Sequence, residues 1–60
     1  MERKDVRVID GKEFEIVHET YLGKFVARVF LNGEFCFEMD GELDTDSENE
    51  YIKCWLNLEN

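Results

Sequence analysis

Apolar and polar residues alternate through the first 40 positions of the chain, and the alternation breaks only at short glycine-containing pairs. "VRVI" is followed by "DGK", "EFEIVHETYL" by a single Gly, "KFVARVFL" by "NG", and "EFCFEM" ends the series. Period two in runs rich in β-branched and aromatic residues is the mark of half-buried strands. Asp-Gly and Asn-Gly between such runs mark hairpins, because tight two-residue turns need positive φ at both central positions. The pattern predicts an antiparallel meander of four strands near 5–9, 13–21, 24–31 and 34–39.

The period changes in the last third. In "ENEYIKCWLNLEN" the polar residues Glu50, Lys53, Asn57 and Asn60 recur at helical spacing, with Tyr51, Ile52, Cys54, Trp55, Leu56 and Leu58 between them. Upstream, Thr45 with Glu48 and Ser47 with Glu50 each fit a capping box. Acidic residues there also suit the positive end of a helix dipole. A strand over 51–58 is the competing reading, since period two fits Ile52, Cys54, Leu56 and Leu58. The fold class expected is α+β: a four-stranded antiparallel β-meander followed by one C-terminal α-helix, ββββα, in a single small domain over 1–60.

Register follows from the turns. A tight Asn32-Gly33 turn pairs Phe30 with Phe35 and Val29 with Cys36, and a tight Leu22-Gly23 turn pairs His18 with Ala27 and Ile16 with Val29. One sheet face then carries Val6, Val8, Phe14, Ile16, His18, Phe25, Ala27, Val29, Leu31 and Cys36. The other carries Ile9, Val17, Val26, Phe30, Phe35, Phe37 and Met39, with Glu19 and Arg28 among them. Both faces are apolar, and one short helix covers only one. The expectation is that the other meets a second protein, with homodimerisation the simplest completion of so small a core. Phe14, Ile16, Phe25, Val29 and Leu31 are the candidate apolar interface. A strongly curved sheet whose two sides share one core is the alternative.

Charge adds a second feature. The six acids and six bases of residues 1–30 cancel, whereas residues 31–60 hold nine acids and one base, so the whole net charge of −8 lies in the second half. Within "DGELDTDSENE" every second residue from Asp40 to Glu50 is acidic, and no Lys or Arg lies between Arg28 and Lys53. Such a surface repels nucleic acid and anionic lipid and suits a basic protein surface as partner. Asp40, Glu42, Asp44, Asp46, Glu48 and Glu50 are the candidate partner-binding residues. A solvated loop leading into an acidic helix start accounts for part of the run without any partner.

Catalytic chemistry is poorly supplied. The chain has one Ser, one His and no Gln or Pro. His18 lies in a strand among apolar residues and reads as a packed or hydrogen-bonded histidine. Cys36 is flanked by Glu34 and Glu38, the wrong surroundings for a reactive thiolate, and both Cys36 and Cys54 read as buried thiols. Their spacing fits no zinc motif. Asp40, Glu42 and Asp44 match the first ligands of a calcium loop, but Thr45 replaces its glycine and Tyr51 its terminal glutamate. Gly11, Gly23, Gly33 and Gly41 are spread as turn glycines and form no phosphate loop. No enzyme activity, metal or cofactor is expected. There is no signal-peptide pattern and no apolar run long enough to span a membrane, which points to the cytoplasm, the host's if a phage encodes the chain.

In composition the chain is similar to the short acidic inhibitors carried by phages and mobile elements, some of which imitate DNA. That likeness implies a non-enzymatic inhibitor of a nucleic-acid-processing or defence protein. The alternative is a self-associating structural or accessory subunit whose acidity keeps a sticky sheet soluble.

Overall fold

The computed structural model describes residues 2–59 and contains the expected ββββα arrangement. Strands β1 (Arg3–Ile9), β2 (Lys12–Tyr21), β3 (Lys24–Leu31) and β4 (Glu34–Asp40) form one antiparallel sheet in sequence order. Helix α1 (Thr45–Glu59) follows and packs across one face. The polar repeat of the tail is therefore helical, and the strand alternative over 51–58 is set aside. Asn60, the last position of that repeat, lies outside the described residues. Among the described residues no helix is long and apolar enough to cross a membrane.

All three hairpins close through two-residue turns with both residues at positive φ: Asp10-Gly11, Leu22-Gly23 and Asn32-Gly33. Asn and Asp tolerate that region, whereas Leu22 at φ 51° carries the steric cost of a Cβ near the following carbonyl. Twist matching explains why the turn keeps this form, since mirror-type turns follow the right-handed twist of the flanking strands.

The helix covers the face that carries Phe14, Ile16, Ala27 and Val29, all without accessible surface, together with Ile9 and Met39. Ile52 and Leu56 supply the helix side of this core, and Leu31, Cys36, Phe37, Leu43 and Trp55 pack around it. Full burial of side chains such as Phe14, Ile16, Val29 and Ile52 contributes about 1.5–3 kcal/mol each. Trp55 sits edge-on to Phe14, with ring centroids 6.3 Å apart, and stacks on Phe37 at 6.0 Å. Cys54, expected as a buried thiol, is exposed instead, as are Tyr51 and Leu58. The stripe turned to the sheet is Glu48, Ile52 and Leu56, buried, with the half-buried Trp55, and the three exposed residues lie off it.

Two strands present faces opposite to those expected. In β1, Ile9 pairs with Lys12, so Val6 falls opposite Glu15 and Val8 opposite Glu13, on the side away from the helix. Arg7 and Asp5 take the inner face. In β4 the register shifts between Val29 and Phe30: Phe30 pairs with Phe35 but Val29 pairs with Phe37, which leaves Cys36 as an extra residue. This β-bulge moves Phe37 and Met39 to the helix face and replaces the expected Val29–Cys36 pair. Cys36 is half-buried, its Sγ donating to the Glu34 carbonyl at 3.6 Å.

Candidate functional site

The acidic segment is held by its own backbone. The Asp40 carboxylate accepts from the Glu42 N–H at 2.9 Å, closing a local turn, and the Gly41 N–H donates to the Phe25 carbonyl at 3.1 Å. Gly41 is where the chain leaves β4 against the start of β3. A Cβ there would lie 2.8 Å from both the Phe25 carbonyl carbon and the Val26 nitrogen, so only glycine fits.

The helix cap is Asp44, one residue before Thr45 and three before Ser47, the two caps expected from the sequence. Its Oδ1 accepts from the Ser47 N–H at 2.8 Å, and its carbonyl receives the first helical bond, from Glu48, at 3.0 Å. The Ser47 backbone N–H, seconded by the Ser47 side chain and opposed by slight burial, holds the Asp44 carboxyl below the ordinary carboxylate range.

Asp40, Glu42, Asp44, Asp46 and Glu50 are exposed along this segment. Glu48 is not: it is 2% exposed, and its removal from the surface set corrects the expectation that it contacts a partner. On the stripe it shares with Ile52 and Leu56, Glu48 must point at the sheet. A carboxylate there needs cationic company. Arg7 Nη1 lies 2.6 Å from Glu48 Oε1, and His18 Nε2 lies 2.8 Å from Glu48 Oε2. Arg7 also donates to Asn49 Oδ1 at 3.2 Å and to Asp5 Oδ2 at 3.3 Å. On its far side His18 Nδ1 faces Arg3 Nη2 at 3.4 Å and Asp5 Oδ2 at 4.0 Å. Among the described residues no buried side-chain nitrogen or oxygen is left without a partner. This cluster joins β1, β2 and α1, and its signal in the sequence was the glutamate on the apolar helix stripe.

Of the proposed apolar interface, Phe14, Ile16 and Val29 belong to the chain's own core, and Leu31 packs at its margin. The apolar face nominated for a second protein is thus largely the one that α1 covers. Phe25 differs, at 60% exposure. It stands between two open hollows at the end of the sheet. Arg3, His18, Thr20, Gly41 and Glu42 line the first with it, and Lys24, Glu38, Met39, Asp40 and Glu42 the second. Glu42 borders both, so the exposed aromatic ring adjoins the acidic segment.

The outer face is a mixed lattice. Arg28, opposite Val17 and Glu38 in register, lies 2.6 Å from Glu19 and 3.1 Å from Glu38, with its guanidinium 5.3 Å from the Tyr21 ring centre. The Glu38 hydrogen bond, backed by the charge of Glu19 and opposed by desolvation, raises the Arg28 pKa above its ordinary value. Both Arg7 and Arg28 are therefore engaged with carboxylates outside the exposed acidic set. Among the described residues no group of three or more His, Cys, Asp or Glu side chains is arranged to hold a metal ion.

Comparison with known proteins yields no match: no family model, no curated protein and no solved structure is similar to this chain.

Proposed function

We propose that this chain is a non-enzymatic protein-binding module that occupies a basic site on a target protein, of the kind a nucleic-acid-processing or defence protein uses for phosphate. One observation carries the reading. Five exposed carboxylates, on Asp40, Glu42, Asp44, Asp46 and Glu50, lie on a segment pinned by a local turn, a helix cap and the Gly41 contact with β3. Preorganised charge recognises a partner without the ordering cost that a flexible acidic tail would incur. Complementary charge raises the association rate and selects against acidic competitors. The exposed Phe25 beside Glu42 offers what charge alone lacks, an aromatic contact for the aliphatic stem or cationic head of a lysine or arginine.

The test is a comparative affinity capture with the wild-type chain and a variant carrying Asp40→Asn, Glu42→Gln, Asp46→Asn and Glu50→Gln. Asp44 is left intact because it caps the helix. The expected result is a stoichiometric basic partner that is retained at low salt, is lost as salt rises, and is absent with the variant. Recovery of the same partner with both proteins would overturn the reading.

A further inference from the structure

The two edges of the sheet are not equally guarded. β4 carries the bulge at Cys36 and three acids, Glu34, Glu38 and Asp40, with no base, so a second β4 laid against it meets like charge and a broken ladder. β1 has seven regular residues, RKDVRVI, and neither bulge nor proline. Its outward side chains Val6 and Val8 are 58% and 69% exposed. The Asp10-Gly11 turn makes Ile9–Lys12 the first hydrogen-bonded pair of the β1–β2 ladder, and such pairs alternate along antiparallel strands. The backbone groups of Ile9, Arg7, Asp5 and Arg3 therefore face β2. Those of Lys4, Val6 and Val8 face the open edge.

We infer that β1 pairs antiparallel with β1 of a second copy, about a two-fold axis through Val6, to give a continuous sheet across a homodimer. Side-chain charge selects this register. Only registers that set Lys4, Val6 and Val8 against one another satisfy the outward backbone groups. Centring the pair on Asp5 opposes Asp5 to Asp5 and Arg3 to Arg7. Centring it on Arg7 opposes Arg7 to Arg7. Centring it on Val6 sets Asp5 of each copy opposite Arg7 of the other, Lys4 opposite Val8, and Val6 opposite itself. Opposite charges directly across a ladder stabilise it and like charges destabilise it. The valines of both copies then form one apolar strip on the outer face, and both helices lie on the same side of the extended sheet. The contact is isologous, so it closes at two copies.

Sedimentation over a concentration series tests this with three proteins. The wild-type chain is expected to reach twice its 7.2 kDa mass. Val6→Pro removes an outward N–H, a change an edge strand tolerates, and is expected to stay monomeric with an unchanged circular dichroism spectrum. In a Cys36→Ala, Cys54→Ser background, Val6→Cys is expected to cross-link to a covalent dimer on diamide oxidation, while Val8→Cys, which faces Lys4 across the axis, does not. A wild-type chain that is monomeric throughout would overturn the inference. So would a Val6→Pro protein that still dimerises, equal cross-linking at positions 6 and 8, or an open ladder of higher oligomers from β1-to-β4 pairing.

Discussion

Arg7 and Glu48 are 41 residues apart in the chain, yet their side chains meet at 2.6 Å beneath the first turn of the helix. With His18 on the other carboxylate oxygen at 2.8 Å, this pair docks α1 on β1 and β2 through charge where the core below it docks through apolar contact. Removing one partner of a buried ion pair leaves the other charge uncompensated, which costs about 3–5 kcal/mol. In so small a domain that is a large part of the total stability. Glu48→Leu and Arg7→Met are each expected to lose about that much, and the double variant distinctly less than the sum. Urea denaturation followed by Trp55 fluorescence measures the cycle, and strict additivity would show that the two residues act independently.

Leu22 occupies the first position of a mirror-type turn, 84% exposed and at positive φ. Its side chain contributes little packing to offset the backbone cost. Leu22→Asn is expected to stabilise the protein by about 1 kcal/mol, since asparagine suits this turn. A rise in the thermal midpoint checks it.

Gly41 admits no side chain without moving β3 backbone atoms. Gly41→Ala is expected to cost about 1–3 kcal/mol, the range for overpacking a tight site. It should also loosen the turn that holds Asp40 and Glu42. Hydrogen exchange at the Gly41 and Glu42 amides reads the local change, and unaltered protection would contradict the packing account.

The pH dependence of the helix start follows from Asp44. Its folded-state pKa is depressed, so the unfolded chain binds a proton more readily than the folded one. The stabilisation is present above the ordinary carboxylate value of 3.8 and is lost as pH falls through the lower folded value. Asp44→Asn keeps a capping side chain and is expected to flatten this acid limb. Asp44→Ala is expected to lower the thermal midpoint at neutral pH more than Asp44→Asn does. Melting curves from neutral to strongly acidic pH distinguish the three proteins.

Local pattern alone carried much of the architecture. The alternation and the glycine pairs marked strands that agree with Lys24–Leu31 at both ends and with the other three to within two residues, because turn chemistry and period two are properties of neighbouring residues. The candidate site was legible only in part. Asp40, Glu42, Asp44, Asp46 and Glu50 are exposed as an acidic segment, while Glu48, part of the same alternating run, is buried.

The sequence by itself determined the order of the elements, the place of the turns and the concentration of negative charge in the second half. Tertiary structure decided which residues share a face. A single extra residue at Cys36 transfers Phe37 and Met39 to the helix side, and the hairpin register at Ile9–Lys12 turns Val6 and Val8 outward against their own hydrophobicity. That inversion brings Arg7 to the inner face, where it meets Glu48. Burial of a charge depends on a partner distant in sequence, and no local pattern records where that partner will be.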